Sequence, residues 1–353
     1  MTERKREHVD IVLDKEVRPR HNYWDDVQFL HNALPEVDLD EVDLRTELFG
    51  KRLAAPVVIS SMTGGFRDAV QINGNLAHGA AEVGVAMGVG SQRPVLQGQA
   101  TEESWTVVRD YDVPLVIANI GAPQLVRQAG KEPLGVEDAK RALEMVRGDI
   151  LAIHLNYTQE IVQPEGDKRS RGVLKALSTI AAEVPVLGKE TGAGISREVA
   201  LRLKEAGVRG IDIGGLGGTS FSAVEYYRAK KEGMKQKERL GQTFWEWGIP
   251  SPVSLLLADV GLPLIATGGL RNGLDVARGL ALGAQAGGMA SQMLRAANES
   301  AEAVVEALEE VVAEIKAVLL LTGCRRPAEL AKRQTILMGP TREWAASLGL
   351  REG

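Results

Sequence analysis

The residues best equipped for chemistry fall in one short stretch, Ile150-Leu-Ala-Ile-His-Leu-Asn-Tyr-Thr-Gln-Glu160. It opens as an apolar run, as a buried strand does, and then turns abruptly polar with His154, Asn156, Gln159 and Glu160. Side chains alternate along a strand, so His154 and Asn156 share a face, and Gln159 and Glu160 follow where the chain leaves it. Donors, acceptors and one carboxylate at the C-terminal mouth of a strand suit an active site in a parallel α/β fold, although alone they also suit a polar loop. Glu160, a single carboxylate among neutral oxygens, fits either Mg2+, which keeps most of its waters, or a solvated loop position. Lys189 is the second such residue. It emerges from the apolar run Pro185-Val-Leu-Gly188, where an unpaired ammonium is costly. It therefore needs a bound cofactor of anionic character, a Schiff-base role, or an internal ion pair with Glu190 or Asp212. The third feature is a pair of glycine-rich segments, Gly268-Gly-Leu-Arg271 and Gly288-Met-Ala-Ser291. Glycines there are either tight turns or a cradle in which backbone N–H groups approach a phosphate, with Arg271 as a counter-charge.

These residues need a scaffold that brings them to one place. From Pro56 the sequence alternates short apolar runs with amphipathic stretches: 56–61 then 71–83, 85–89 then 101–109, 114–118 then 136–146, and 150–155 then 172–183. The rhythm continues with 185–188 then 196–206, 210–213 then 219–231, 263–267 then 274–282, and 285–289 then 300–321. Eight strand–helix units without a break predict an α/β protein, a TIM (β/α)8 barrel over 56–321, rather than an open doubly wound sheet. Residues 1–55 read as an N-terminal extension that packs on the barrel, with a basic knot of Arg4, Lys5, Arg6 and His8 at its start, and 322–353 as a short helical C-terminal tail. A mobile insertion is expected between 232 and 250. In such a barrel every strand ends at one face, and here all eight ends carry polar side chains or glycine. The opposite loops, by contrast, show no grouping of reactive side chains.

Composition narrows the class further. Lys and Arg number 42 against 47 Asp and Glu, a net charge of −5, so no global field favours nucleic acid. One cysteine, Cys324, excludes an intrachain disulfide framework and a multi-cysteine metal site. The polar start Met1-Thr-Glu-Arg-Lys-Arg-Glu-His8 is not a signal peptide, and no apolar run spans a membrane. The expectation is a cytoplasmic protein with a small-molecule substrate, no nucleic acid and no membrane partner.

Taken together, the motifs resemble the type 2, FMN-dependent isopentenyl diphosphate isomerases. The matching pieces run in order: Arg4-Lys5 with His8, Met62-Thr-Gly-Gly65, Met87 to Arg93, Ala118-Asn119, and Ala152 to Asn156 with Gln159-Glu160 and Gln163-Pro-Glu-Gly166. Lys189-Glu190, Gly217-Gly-Thr219, Trp247 to Pro250, Gly268 to Arg271, Gly288 to Ala290 and Leu319 to Gly323 complete them. The resemblance implies that Met62, Thr63, Gly64, Ser91, Asn119, Lys189 and Thr219 contact FMN. It implies that Gly269, Leu270, Arg271, Ala290 and Ser291 hold its phosphate. Arg4, Lys5, His8, Ser91, Gln92 and Arg93 would bind a diphosphate, and His154, Asn156 and Gln159 would line the substrate. Glu160 would bind Mg2+, and His154, Gln159 and Lys189 would serve the chemistry. The implied reaction interconverts isopentenyl and dimethylallyl diphosphates by 1,3-allylic proton transfer at reduced FMN, with NADPH as reductant. A homo-oligomer, tetramer or octamer, is also implied. Gly214 departs from the family, which can have serine there. The competing reading on the same barrel is an FMN-dependent 2-hydroxy acid oxidase or dehydrogenase. That chemistry needs a histidine near the later strands, and none of the five histidines lies beyond His154.

Overall fold

The structure, a computed structural model, describes residues 2–350, with side chains from residue 5 onward. The chain opens with α1 (Thr2–Asp14), followed by β1 (Val27–Phe29) and the strands β2 (Thr46–Leu48) and β3 (Lys51–Leu53). The repeating part then runs β4 (Val57–Ile59), α2 (Ala69–Val83), β5 (Ala86–Gly88), α3 (Arg93–Leu96), α4 (Glu103–Thr106), β6 (Val116–Gly121) and α5 (Val136–Val146). Next come β7 (Ile150–Leu155), α6 (Tyr157–Val162), α7 (Val173–Ala181), β8 (Val186–Glu190), α8 (Arg197–Glu205), β9 (Gly210–Asp212) and α9 (Phe221–Lys231). They are followed by α10 (Lys235–Thr243), α11 (Ser251–Ala258), β10 (Leu264–Ala266), α12 (Gly273–Ala281), β11 (Ala286–Met289), α13 (Ser291–Glu299) and α14 (Ala301–Thr322). The tail holds β12 (Thr335–Leu337) and α15 (Gly339–Ser347).

Strands β4 to β11 form a closed barrel in which neighbours pair in parallel, and β11 closes on β4. The short apolar strands are buried on both faces, as strands sheathed by helices must be. Ser196, Ser220, Asn272 and Ser300 each accept a first-turn backbone N–H and so fix where α8, α9, α12 and α14 begin. The β2–β3 hairpin plugs the bottom of the barrel. Leu48 and Leu53 cluster there with Val58, Ile117, Leu187 and Ile265. Burying two such leucines contributes roughly 3–6 kcal/mol. The hairpin also leaves only the other end of the barrel open.

Five helices among the described residues were not anticipated from sequence, the four-residue α3 and four longer ones. Helix α1 is mostly polar, without a broad apolar stripe, and charged contacts hold it across the barrel mouth. Helices α6 and α13 are short, and each begins at the polar end of a strand, where the apolar period is interrupted. Helix α10 (Lys235–Thr243) occupies the segment read as a mobile insertion. It packs against α9, with Gly241 pressed on Tyr226.

Candidate active site

A cavity of about 270 Å3 opens at the C-terminal ends of the barrel strands. It gathers residues from every strand end and also Lys5, His8 and Asn22 of the extension.

One side is a cradle for an anion. Gly268 and Gly269 have φ of +91° and +92°, and a Cβ on Gly269 would lie 2.5 Å from the Gly217 backbone. Only glycine permits both the left-handed conformation and that approach. The carbonyls of this loop are tied up. Trp24 Nε1 and Ser251 Oγ donate to Gly268 O at 2.9 and 2.6 Å, and Asn22 Nδ2 donates to Gly269 O at 2.8 Å. Beside it, α13 starts at Ala290 without a side-chain cap, so its N-terminus offers backbone N–H groups. Gly269, Leu270, Arg271, Ala290 and Ser291 all line this part of the cavity. Arg271, however, is already matched in charge: its guanidinium bonds Asp275 (Nε–Oδ2 2.8 Å) and Asp25 (Nη1–Oδ2 3.0 Å). These two carboxylates hold the guanidinium at the edge of the cradle, where it lines the cavity. The side chain braces the loop.

Next to the cradle, Met62, Thr63, Asn119, Lys189 and Thr219 face the cavity. Lys189 Nζ donates to Asp212 Oδ2 at 2.6 Å, and Asp212 Oδ1 takes the Thr267 hydroxyl. Thr267 Oγ1 in turn accepts from Gly214 N at 2.8 Å. Of the partners the sequence allows for Lys189, Asp212 is the one found, because β8 and β9 pair these two residues directly. Glu190 instead turns back on its own loop, where Oε2 accepts the amides of Thr191 (2.6 Å), Gly192 (2.6 Å), Ala193 (2.5 Å) and Gly194 (3.1 Å). Burial pushes the Glu190 carboxyl up to about 7, and those four N–H bonds pull the other way. Gly64 does not line the cavity. A Cβ there would meet the Trp105 ring at 2.6 Å, so close packing on that ring requires glycine at this position.

The other side of the cavity is cationic and polar. Lys5 Nζ donates to Ser91 O at 2.9 Å and sits 4.9 Å from the centre of the Trp105 ring. Ser91 and Arg93 line the cavity, whereas Gln92 is fully buried behind them. Gln92 Nε2 donates to Ala142 O at 2.8 Å, and its Oε1 accepts Asn119 N at 2.8 Å. The substrate role expected for Gln92 is therefore corrected: its side chain points outward and pegs β5 to α5 and β6. Arg4 was expected to bind diphosphate too, and its side chain lies outside the described residues.

His154, Asn156, Gln159 and Glu160 all reach the cavity. His154 Nδ1 lies 2.7 Å from Asn119 Oδ1, which leaves Nε2 as an acceptor. The ring edge faces the cavity, not bulk water. Burial, then the charges of Arg93, Lys189 and Lys5, push the imidazole down to about 3, so it is neutral at physiological pH. Glu160 accepts Asn156 Nδ2 at 3.1 Å and Asp167 N at 2.6 Å. Burial raises its carboxyl above the usual range, a shift that an adjoining cation would offset. Asn156 Oδ1 is buried without a partner. A carboxylate, an unpartnered amide oxygen and no cluster of three metal-ligating residues among the described residues fit a water-rich Mg2+ site and no richer one.

Three residues not foreseen from sequence support the site: Asn22 at the cavity wall, and Asp167 and Glu225 behind it. Glu225 is fully buried and joins His8 (3.0 Å), Gln159 Nε2 (3.0 Å) and Arg228 Nη1 (2.6 Å). Burial pushes it up, but these partners more than offset that and hold the carboxyl at about 2. It looks like any helix-surface acid in sequence, and only the fold turns it inward.

Comparison with known proteins adds to this geometry. Residues 3–108 and 194–337 match the FMN-dependent dehydrogenase family. A protein of Thermoplasma volcanium named isopentenyl-diphosphate delta-isomerase is 46% identical over 341 residues, covering 97% of this chain and 98% of that one. One of the same name from Archaeoglobus fulgidus is 46% identical over 346 residues, with 97% and 98% covered. Among solved structures, a lactate oxidase of Pediococcus acidilactici superposes with a TM-score of 0.62 at 15% identity, covering 90% of this chain and 84% of that one. A mandelate oxidase variant gives 0.59 at 18% identity, with 90% of each chain covered. At that identity these two speak for the fold alone.

Proposed function

The chain belongs to the type 2, FMN-dependent isopentenyl-diphosphate delta-isomerases, and from that premise we propose how its cavity works. The reaction is the interconversion of isopentenyl and dimethylallyl diphosphates by 1,3-allylic proton transfer. Reduced FMN, when bound, supplies the proton donor and acceptor, and NADPH is the reductant that prepares it. The glycine cradle and the α13 N-terminus hold the flavin phosphate, and Lys189 stands where an anionic ring would be stabilised. At the opposite side, Lys5, His8, Arg93 and Arg4 hold the diphosphate, and Glu160 with Asn156 holds Mg2+ that shares its charge. His154, Asn156 and Gln159 orient the five-carbon chain between the two.

The observation that carries this reading is the division of one cavity into an anion cradle with a lysine and a separate cationic rim. Two anionic groups, one of a cofactor and one of a substrate, are accommodated at once. A neutral His154 supports it further, since the imidazole is a poor acid for an unactivated alkene and the proton donor must be supplied otherwise. The 2-hydroxy acid oxidase reading fits less well, because the only histidines at the cavity are His8 and His154.

The test is the number of NADPH molecules consumed per product formed, with oxygen strictly excluded. Double-bond migration leaves the oxidation state unchanged, so the enzyme should be silent with oxidised FMN and turn over many times after one reduction. In heavy water the product should carry solvent deuterium. One NADPH consumed for each product would mean net hydride transfer and would overturn the reading.

A further inference from the structure

Directly after the Gln163-Pro-Glu-Gly166 turn, Asp167 is buried, 4% exposed, and does not itself line the cavity. Its carboxylate nevertheless reaches three residues on two other strand loops. Oδ2 accepts Arg93 Nη1 at 2.9 Å and Gln124 Nε2 at 3.0 Å, and Oδ1 accepts Lys131 Nζ at 2.7 Å. Its backbone N–H donates to Glu160 Oε2 at 2.6 Å. The turn that delivers it is tight. Gly166 N donates to Gln163 O at 3.2 Å, and a Cβ on Gly166 would lie 1.9 Å from Glu160 O, so no other residue allows the turn to close on α6. Nothing in a buried loop requires an acid here. A neutral residue could close the same turn, but it would leave Arg93 buried without this carboxylate. One residue thus grips the guanidinium with its side chain and the Glu160 carboxylate with its main chain.

We propose that Asp167 is a positioning residue for the substrate end of the site, fixing the anion-binding Arg93 in register with the metal-binding Glu160. The proposal rests on the reading of Arg93 and Glu160 given above. The two groups must address one diphosphate–metal unit, and they arise from the loops after β5 and β7, strands that do not pair directly but only through β6. Asp167 supplies that missing coupling. It also sets one negative charge against Arg93 and Lys131, so the rim keeps a net positive charge for an anion.

The experiment compares wild type, Asp167→Asn, Arg93→Gln, Glu160→Gln and the two double variants, all loaded with FMN. Flavin affinity is read by fluorescence titration, and KM, kcat and the apparent Mg2+ constant by steady-state assay. Asp167→Asn should raise KM by about tenfold, the scale of one lost charge-assisted hydrogen bond, and should raise the Mg2+ constant as the loop that presents the residue 167 N–H to Glu160 loosens, with kcat and flavin affinity changed far less. Its effect on KM should largely vanish in the Arg93→Gln background, and its effect on Mg2+ in the Glu160→Gln background. Should Asp167→Asn fail to fold, Asp167→Glu keeps the charge but displaces it and should give the same split. Unchanged KM and Mg2+ constant in a folded variant, or undiminished effects in both backgrounds, would overturn the proposal. If Arg93→Gln and Glu160→Gln are themselves without effect, the reading of the substrate end falls and the proposal falls with it. If they act and Asp167→Asn does not, only the proposal falls.

Discussion

Lys189 shows how one buried charge can serve two partners. The residue is 7% exposed, its ammonium is already paired with Asp212, and the Thr267 hydroxyl holds that carboxylate in place. Removing the lysine would strand Asp212, at a cost of about 3–5 kcal/mol for a broken buried pair. The cleaner change is Asp212→Asn. With its counter-charge gone, the lysine should favour reduced, anionic flavin more strongly. We expect the FMN midpoint potential to rise by roughly 30 mV or more, the two-electron equivalent of about 1.4 kcal/mol. An unmoved potential in a flavin-loaded variant would separate Lys189 from the ring.

His154 carries a pH signature. Its imidazole lies at about 3 when folded against 6.5 for a free histidine. Between those values the unfolded chain binds more protons. The group's stabilisation is therefore complete above pH 6.5 and is lost as pH falls, by up to about 1.4 kcal/mol per unit. Glu190 acts in the opposite sense, since its raised carboxyl favours the folded state below about 4.5 and loses that contribution as pH rises toward 7. Urea unfolding between pH 7 and 4 should show a shallower loss of stability for His154→Gln than for wild type. Parallel curves would mean that His154 is protonated in the folded protein.

At the scale of elements, the decisive one is α1. Glu7 meets Arg228 at 3.0 Å and Lys231 at 2.7 Å, and His8 meets Glu225, so α1 is clasped to α9 by charge. That clasp brings Lys5 and His8 over the barrel mouth. Deleting residues 1–8 removes both the clasp and these two side chains but leaves the cradle untouched. KM for the diphosphate should rise at least tenfold, as expected for losing about 1.5–3 kcal/mol with each charged contact, while flavin affinity stays within about twofold. Equal loss of flavin and substrate affinity would mean instead that α1 supports the whole cavity.

The whole molecule ties its two termini together beneath the cradle. Strand β1 pairs with β12, Thr341 Oγ1 donates to Asp26 Oδ2 at 2.7 Å, and Met338 N donates to Asp26 O at 2.8 Å. Two residues before Asp26, the Trp24 indole reaches Gly268. The tail therefore supports the glycine loop at Gly268 without touching the cavity. Thr341→Val keeps the shape and removes the hydroxyl, which should cost about 1–3 kcal/mol. A lowered melting temperature with weakened FMN retention is expected. Lower stability with full flavin affinity would confine the tail to a structural role. No helix among the described residues is long and apolar enough to cross a membrane.

Much of this was legible in the chain itself. The eight short apolar runs and their amphipathic partners specify the barrel, because a strand buried on both faces and a helix buried on one leave different periods in sequence. The barrel in turn decides which end of each strand is functional, and so Lys189, His154, Asn156, Gln159 and Glu160 could be placed together in advance. Gln92 could not be told from Ser91 and Arg93, since neighbours in a loop can point opposite ways and only packing against α5 decides which. Arg271 read as a free cation because Asp25 lies in a segment whose path no periodicity reveals. Asp167, Glu225 and Asn22 were invisible for the same reason. Apart from Arg228 beside Glu225 and Glu160 near Asp167, their partners are distant in sequence, and a polar group on a loop or helix surface acquires meaning only when the closed barrel brings another against it.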